Sequence, residues 1–181
     1  MIEEPFVVAT SGAAGDAPGA TGWAWVAADG HWCAGAIRDG AEHIGDLTAL
    51  LHAVLDNAGA PGLTVSTDCL YAITICRALM RTGGSQSSKG GSDYGGGGSR
   101  SVLELLEAVR AVRGVTGLGA LEFQHIRLDE RHALNLWAED RAKRAAAQAT
   151  AGSTGMWSSH HGQPKLDVIE PPEPAELTGR R

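Results

Sequence analysis

Apolar positions along this chain change their period part-way through. Phe6-Val7-Val8-Ala9-Thr10 is a short apolar run ended by Ser11-Gly12. Gly22-Trp23-Ala24-Trp25-Val26-Ala27 and Trp32-Cys33-Ala34-Gly35-Ala36-Ile37 follow, separated by Ala28-Asp29-Gly30-His31. Short apolar runs bounded by turn residues predict strands, and Asp-Gly between two of them predicts a hairpin. From residue 46 to residue 58 the spacing becomes helical, with Leu47, Leu50, Leu51, Val54 and Leu55 on one face. Ala58-Gly59-Ala60-Pro61-Gly62 stops that helix. Leu63-Thr64-Val65-Ser66-Thr67 predicts a strand, and residues 69–81 a helix through Ile73, Cys76 and Leu79.

Residues 82–100 carry Gly and Ser with no apolar period and predict a flexible linker. Ser101 to Arg113 predicts an amphipathic helix, opened by a capping box of Ser101 and Glu104. Leu121 to Ile126 alternates as a strand, and residues 133–149 predict a last, alanine-rich helix. Residues 150–181 are rich in Gly, Ser and Pro and predict a disordered tail. The expected organisation is one domain over 1–149 followed by that tail. Three antiparallel strands followed by β–α alternation predict an α/β fold: a mixed five-stranded sheet flanked by helices.

Composition narrows the function classes. The 181 residues are 43% hydrophobic, enough to bury a core. No apolar run approaches the roughly 20 residues that span a bilayer, so no membrane association is expected. MIEEPFVV lacks a basic segment before an apolar stretch, so no signal peptide is expected. Three cysteines without CxxC spacing point to a reducing, cytoplasmic setting and to small buried side chains. The net charge of -6 sets the chain apart from strongly basic nucleic-acid binders.

Four segments carry a resemblance. The loop Ser11 to Trp23, the segment Asp46-Leu47-Thr48-Ala49-Leu50-Leu51, the run Ser66-Thr67-Asp68-Cys69-Leu70-Tyr71, and the pair Phe123-Gln124-His125-Ile126-Arg127 with Asn135 to Ala142 stand in order. Together with the element order they resemble type 1 ribonuclease H over roughly residues 5–149. The resemblance implies metal-dependent phosphodiester hydrolysis of the RNA strand in RNA/DNA hybrids. It implies carboxylates holding Mg²⁺ or Mn²⁺, since hard cations take oxygen ligands. Carried over position by position, Asp68 matches outright. Asp46 stands where the family has Glu, and Glu139 where it has Asp, with Asp140 adjacent. His132 falls near the family's His-bearing loop and would act in proton transfer.

The chain departs from the family at its first carboxylate. Ser11 stands there, or Thr10 if the alignment shifts by one, and Asp16 is the nearest acid that could fold back. The basic, aromatic protrusion of some members is replaced by the Gly/Ser segment. An impaired hydrolase is therefore one reading. A catalytically silent module binding nucleic acid, or a protein partner through the C-terminal tail, is the other. Simpler roles remain open for single residues. Asp46 could cap a helix, Asp68 could cap the next one, and Glu139 and Asp140 could pair with Arg141, Lys143 and Arg144 on a solvated face. Trp23, Trp25 and Trp32 are expected to pack against the sheet rather than stack on bases, and His160-His161 to lie in a polar tail.

Overall fold

The computed structural model describes residues 5–38, 40, 43–60, 62–81, 121–127 and 133–159. Its elements are β1 (Phe6–Ala14), β2 (Thr21–Ala27), β3 (Trp32–Ile37), α1 (Ile44–Asp56), β4 (Leu63–Thr67), α2 (Leu70–Arg81), β5 (Leu121–His125), α3 (Ala133–Thr150) and β6 (Gly155–Ser158). They form a six-stranded sheet in the order β5-β4-β1-β2-β3-β6. β1, β2, β3 and β6 pair antiparallel, whereas β1 with β4 and β4 with β5 pair parallel. The predicted meander and the switch to β–α units are both present. The linker, the helix expected over 101–113, His132 and His160-His161 lie outside the described residues.

Strand alternation divides the core between two faces. On one, Val8, Trp23, Trp25, Val65 and Phe123 pack with Leu47, Leu50 and Val54 of α1 and with Ile73 and Cys76 of α2. On the other, Ala9, Ala24, Val26, Trp32 and Ala34 meet Leu134, Ala138, Ala142 and Ala145 of α3. Trp23, Trp25 and Trp32 are all buried, as expected of residues that pack against the sheet. Alanines on α3 let it lie close to the sheet. At Gly22 of β2 the approach is closest: a Cβ there would strike the carbonyl oxygen of Ala142.

Two expectations are corrected at the C-terminal end. The sheet has six strands, not five, and residues 150–159 are ordered structure, not the start of a disordered tail. Helix α3 is closed by a glycine cap. Gly152, at φ 91, donates its N–H to Ala149 O, and Ser153 donates to Gln148 O. The chain reverses there and β6 covers the edge of β3, pairing Ala34 with Trp157. An open strand edge has unpaired peptide groups, and four residues suffice to satisfy part of it. Gly-Met-Trp-Ser has no alternation long enough to predict a strand.

Candidate functional site

The parallel pairing of β1 with β4 ends at Thr10 and Thr67, while β1 continues to Ala14. Asp68 and Cys69 follow directly at the carboxyl end of β4. The neighbouring end of β5 is tied in by Ile126 N–H donating to Thr67 O, and His125 Nε2 lies 3.3 Å from Asp68 O. The N-terminus of α1 approaches the same strand ends from one face. β1 and β4 run parallel, but β1 leads on to β2 on one side and β4 into α2 on the other, so the loops lead apart and leave an opening, the usual place for a ligand in an α/β sheet.

Asp46 is the centre of this region, but it is not the helix N-cap. His43 occupies that position, with φ 64 and no side-chain capping bond, and Asp46 lies in the first turn. Its carboxylate instead crosses to β1, where Gly12 N–H donates to Oδ1 at 2.9 Å. The crossing requires glycine at position 12. A Cβ there would sit 2.7 Å from the carbonyl carbon of Gly45 and 2.9 Å from Asp46 Oδ1. Burial pushes the Asp46 carboxyl above its ordinary value, and the charge of Asp68 adds to the rise. The Cys69 thiol, the Gly12 N–H and His43 oppose it.

Two unlike donors, an imidazole and a thiol, converge beside that carboxylate. His43 Nδ1 lies 3.8 Å from Asp46 Oδ2 and 3.7 Å from Cys69 Sγ. The imidazole stacks on Tyr71 of α2, with ring centroids 4.7 Å apart. Burial pushes the Cys69 thiol up to about 11, so it is protonated at neutral pH and hydrogen-bonds to Asp46. Among the described residues, the group of His, Cys, Asp and Glu side chains whose ligand atoms all lie within 4.8 Å of one another is His43, Asp46 and Cys69. His43 and Asp46 also line a cleft of about 420 Å³ under the β1–β2 loop, together with Gly12, Asp16 and Thr21.

Strand alternation separates Thr10 from Ser11. Val8 packs toward α1, and a Cβ at Gly12 would point to Asp46. Thr10 lies between them on the same face, whereas Ser11 shares the α3 face with Ala9 and Ala13. Thr10, not Ser11, therefore lies on the face of β1 turned toward α1. It is buried, and its hydroxyl donates to Ser66 O at 3.1 Å.

The α3 acids are otherwise engaged. Lys143 Nζ lies 2.7 Å from Glu139 Oε1, and Arg144 Nε lies 2.8 Å from Asp140 Oδ2, each pair one helical turn apart. Asp16 is exposed, and its backbone N–H is held by Thr150 Oγ1 at 3.1 Å. None of Asp16, Asp68, Glu139 and Asp140 joins the three-residue group. The residues that sequence reasoning missed are His43 and Cys69. His43 stands i,i+3 to Asp46, a weak signal, and Cys69 looked like a small apolar residue.

No protein-family model matches the chain, and no curated protein matches it. Solved structures do. The chain is similar to the N-terminal RNase H domain of rv2228c from Mycobacterium tuberculosis, solved as a fusion with maltose binding protein. The TM-score is 0.55 at 16% identity, over 82% of this chain and 97% of that one. This chain has an RNase H-like fold. The likeness is one of architecture, and the donor set has to be judged from its own chemistry. A pair of Mg²⁺ ions needs several oxygen ligands in near-ideal geometry. At this RNase H-like strand end the buried hydroxyl of Thr10 is committed to a carbonyl, and Asp46 is flanked by an imidazole and a thiol. These residues do not fit that pair.

Proposed function

We propose that this chain is a divergent ribonuclease H-like protein that binds RNA/DNA hybrids at the strand-end cleft and has lost rapid two-metal phosphodiester hydrolysis. The observation that supports the reading is the placement of Asp68 directly after the carboxyl end of β4, beside β1, in a sheet of RNase H-like order. Thr10 supports the loss: a neutral hydroxyl stands on the face of β1 turned toward α1, where the resemblance expects a carboxylate. With a net charge of -6, binding relies on local contacts rather than on a basic field.

Fluorescence anisotropy with labelled RNA/DNA hybrid, duplex DNA and duplex RNA, over a salt series, tests the binding. The expected result is tighter binding of the hybrid. Equal binding of all three would remove the preference for hybrid, and absent binding would remove the nucleic-acid reading and leave a protein-binding module. Incubation of end-labelled hybrid with Mg²⁺ or Mn²⁺ tests the loss. Metal-dependent turnover that disappears in Asp68→Asn would show that hydrolysis survives.

A further inference from the structure

The structure assigns His43, Asp46 and Cys69 as a three-ligand site for a borderline-soft divalent cation, of which Zn²⁺ is the type. This site stands whether or not the chain binds nucleic acid. The argument begins with spacing. A tetrahedral zinc ion bonds sulfur at about 2.3 Å and nitrogen or oxygen at about 2.0–2.1 Å, which puts its ligand atoms roughly 3.4–3.6 Å apart. Here Nδ1 is 3.7 Å from Sγ and 3.8 Å from Oδ2, and all three atoms lie within 4.8 Å of one another. The two spacings to Nδ1 lie within about half an ångström of that geometry.

Each ligand is held by something outside the group. Gly12 N–H occupies Asp46 Oδ1 at 2.9 Å and leaves Oδ2 turned toward His43. That is the outer-shell support that orients a ligating carboxylate. Tyr71 supports the imidazole by stacking. Cys69 is fixed by its own backbone: its N–H donates to Thr67 Oγ1 at 3.2 Å, and its carbonyl accepts from Ile73 N–H at 3.1 Å.

The backbone of His43 adds a second, independent observation. Among the described residues it is the one non-glycine residue with positive φ, at 64°. That conformation is uncommon outside glycine, although histidine adopts it more readily than most residues, and it clusters at functional sites. Glycine would hold the turn without strain, yet an imidazole is placed there and aimed at a thiol and a carboxylate. His43 and Asp46 line the cleft and Cys69 does not. An ion held by these residues would lie at the edge of the cleft, where a zinc site that keeps one place for water or a ligand could reach it. Binding releases the thiol proton to solvent, and the cation takes its place on sulfur.

Cobalt is the probe, since Co²⁺ follows zinc in geometry and is coloured. The full chain, reduced with a phosphine and freed of metal, is titrated with Co²⁺ and read by absorbance. The expected result is one equivalent bound, with tetrahedral visible bands and a sulfur-to-cobalt band in the near ultraviolet. Zn²⁺ then abolishes the spectrum, while excess Mg²⁺ does not. Cys69→Ser should remove the sulfur band and weaken binding by more than about tenfold, since loss of even an outer-shell partner costs roughly 10–100-fold. His43→Gly should weaken binding similarly while keeping the fold, because glycine accepts the φ of 64° without strain. A colourless titration, or a spectrum unchanged in Cys69→Ser and in His43→Gly, would overturn the site. A spectrum lost only in His160→Ala/His161→Ala would place the metal in the tail and overturn it equally.

Discussion

The guanidinium of Arg141 lies 4.9 Å from the centroid of the Trp32 ring, between α3 and β3, with only 6% of the residue exposed. Its Nη1–H also reaches Trp137 O at 3.5 Å. Burial pulls the guanidinium below its ordinary pKa. Much of what this side chain contributes is packing of its stem and the face-on contact with the indole. Arg141→Ala should therefore destabilise by about 2–3 kcal/mol through a cavity and the lost contact. Arg141→Met should cost less than about 1 kcal/mol, because it fills the volume without burying a charge. Urea unfolding of both variants checks this. An equal loss in both would mean that the charge, not the packing, holds the contact.

Asp46 makes stability depend on pH in an unusual direction. Its folded carboxyl sits above the ordinary 3.8, chiefly through burial. A raised acid favours the fold when protonated. That contribution is complete below the unfolded pKa and is lost as pH rises through the folded one. Asp46→Asn keeps an oxygen for Gly12 N–H and removes the buried charge. In chelator-treated protein it should be more stable than the wild type at pH 7, with the gain gone below about pH 4. Thermal unfolding at both values is the measurement. Destabilisation at pH 7 would show that the carboxylate is better compensated than its burial implies.

Gly12 and Gly45 let α1 touch β1. Gly12→Ala would drive a methyl group into the Gly45–Asp46 backbone, which cannot swing away. A loss of about 1–3 kcal/mol is expected by chemical denaturation. Gly59→Ala is the control, since nothing lies within 4 Å of its Cβ direction. Equal effects of the two substitutions would discount the close approach.

Thr10→Asp tests the proposal that a carboxylate is missing from this strand. The new side chain would lie on the face of β1 turned toward α1 and approach Ser66 O, which now accepts the threonine hydroxyl. Without a cation the variant should be less stable than the wild type, because a buried carboxylate and a carbonyl oxygen then crowd together. With Mg²⁺ it should cleave RNA/DNA hybrid at least about tenfold faster than the wild type, or about 1.4 kcal/mol in barrier. Ser11→Asp, on the other face of the strand, should not. Faster cleavage by Ser11→Asp alone would reverse the assignment of the vacant position.

The sequence by itself determined the architecture of this protein. The runs at Phe6, Trp23 and Trp32, the change to helical spacing at Leu47, and the strand at Leu63 state the meander and its β–α continuation, because burial on one face imposes a period of two or of 3.6. Asp68 was legible too, since it ends a strand within a recognisable run. Only the tertiary structure decided the site. Whether Ser11 or Thr10 faces α1 turns on a one-residue register, and pleating reverses the answer at each step. Asp46 looks like a cap in the sequence, yet its carboxylate crosses 34 positions to Gly12. His43 and Cys69 stand 26 residues apart and meet because α1 and α2 start beside the same strand ends. Local patterning encodes which residues are buried, whereas donors from separate loops converge only when the sheet brings those loops together.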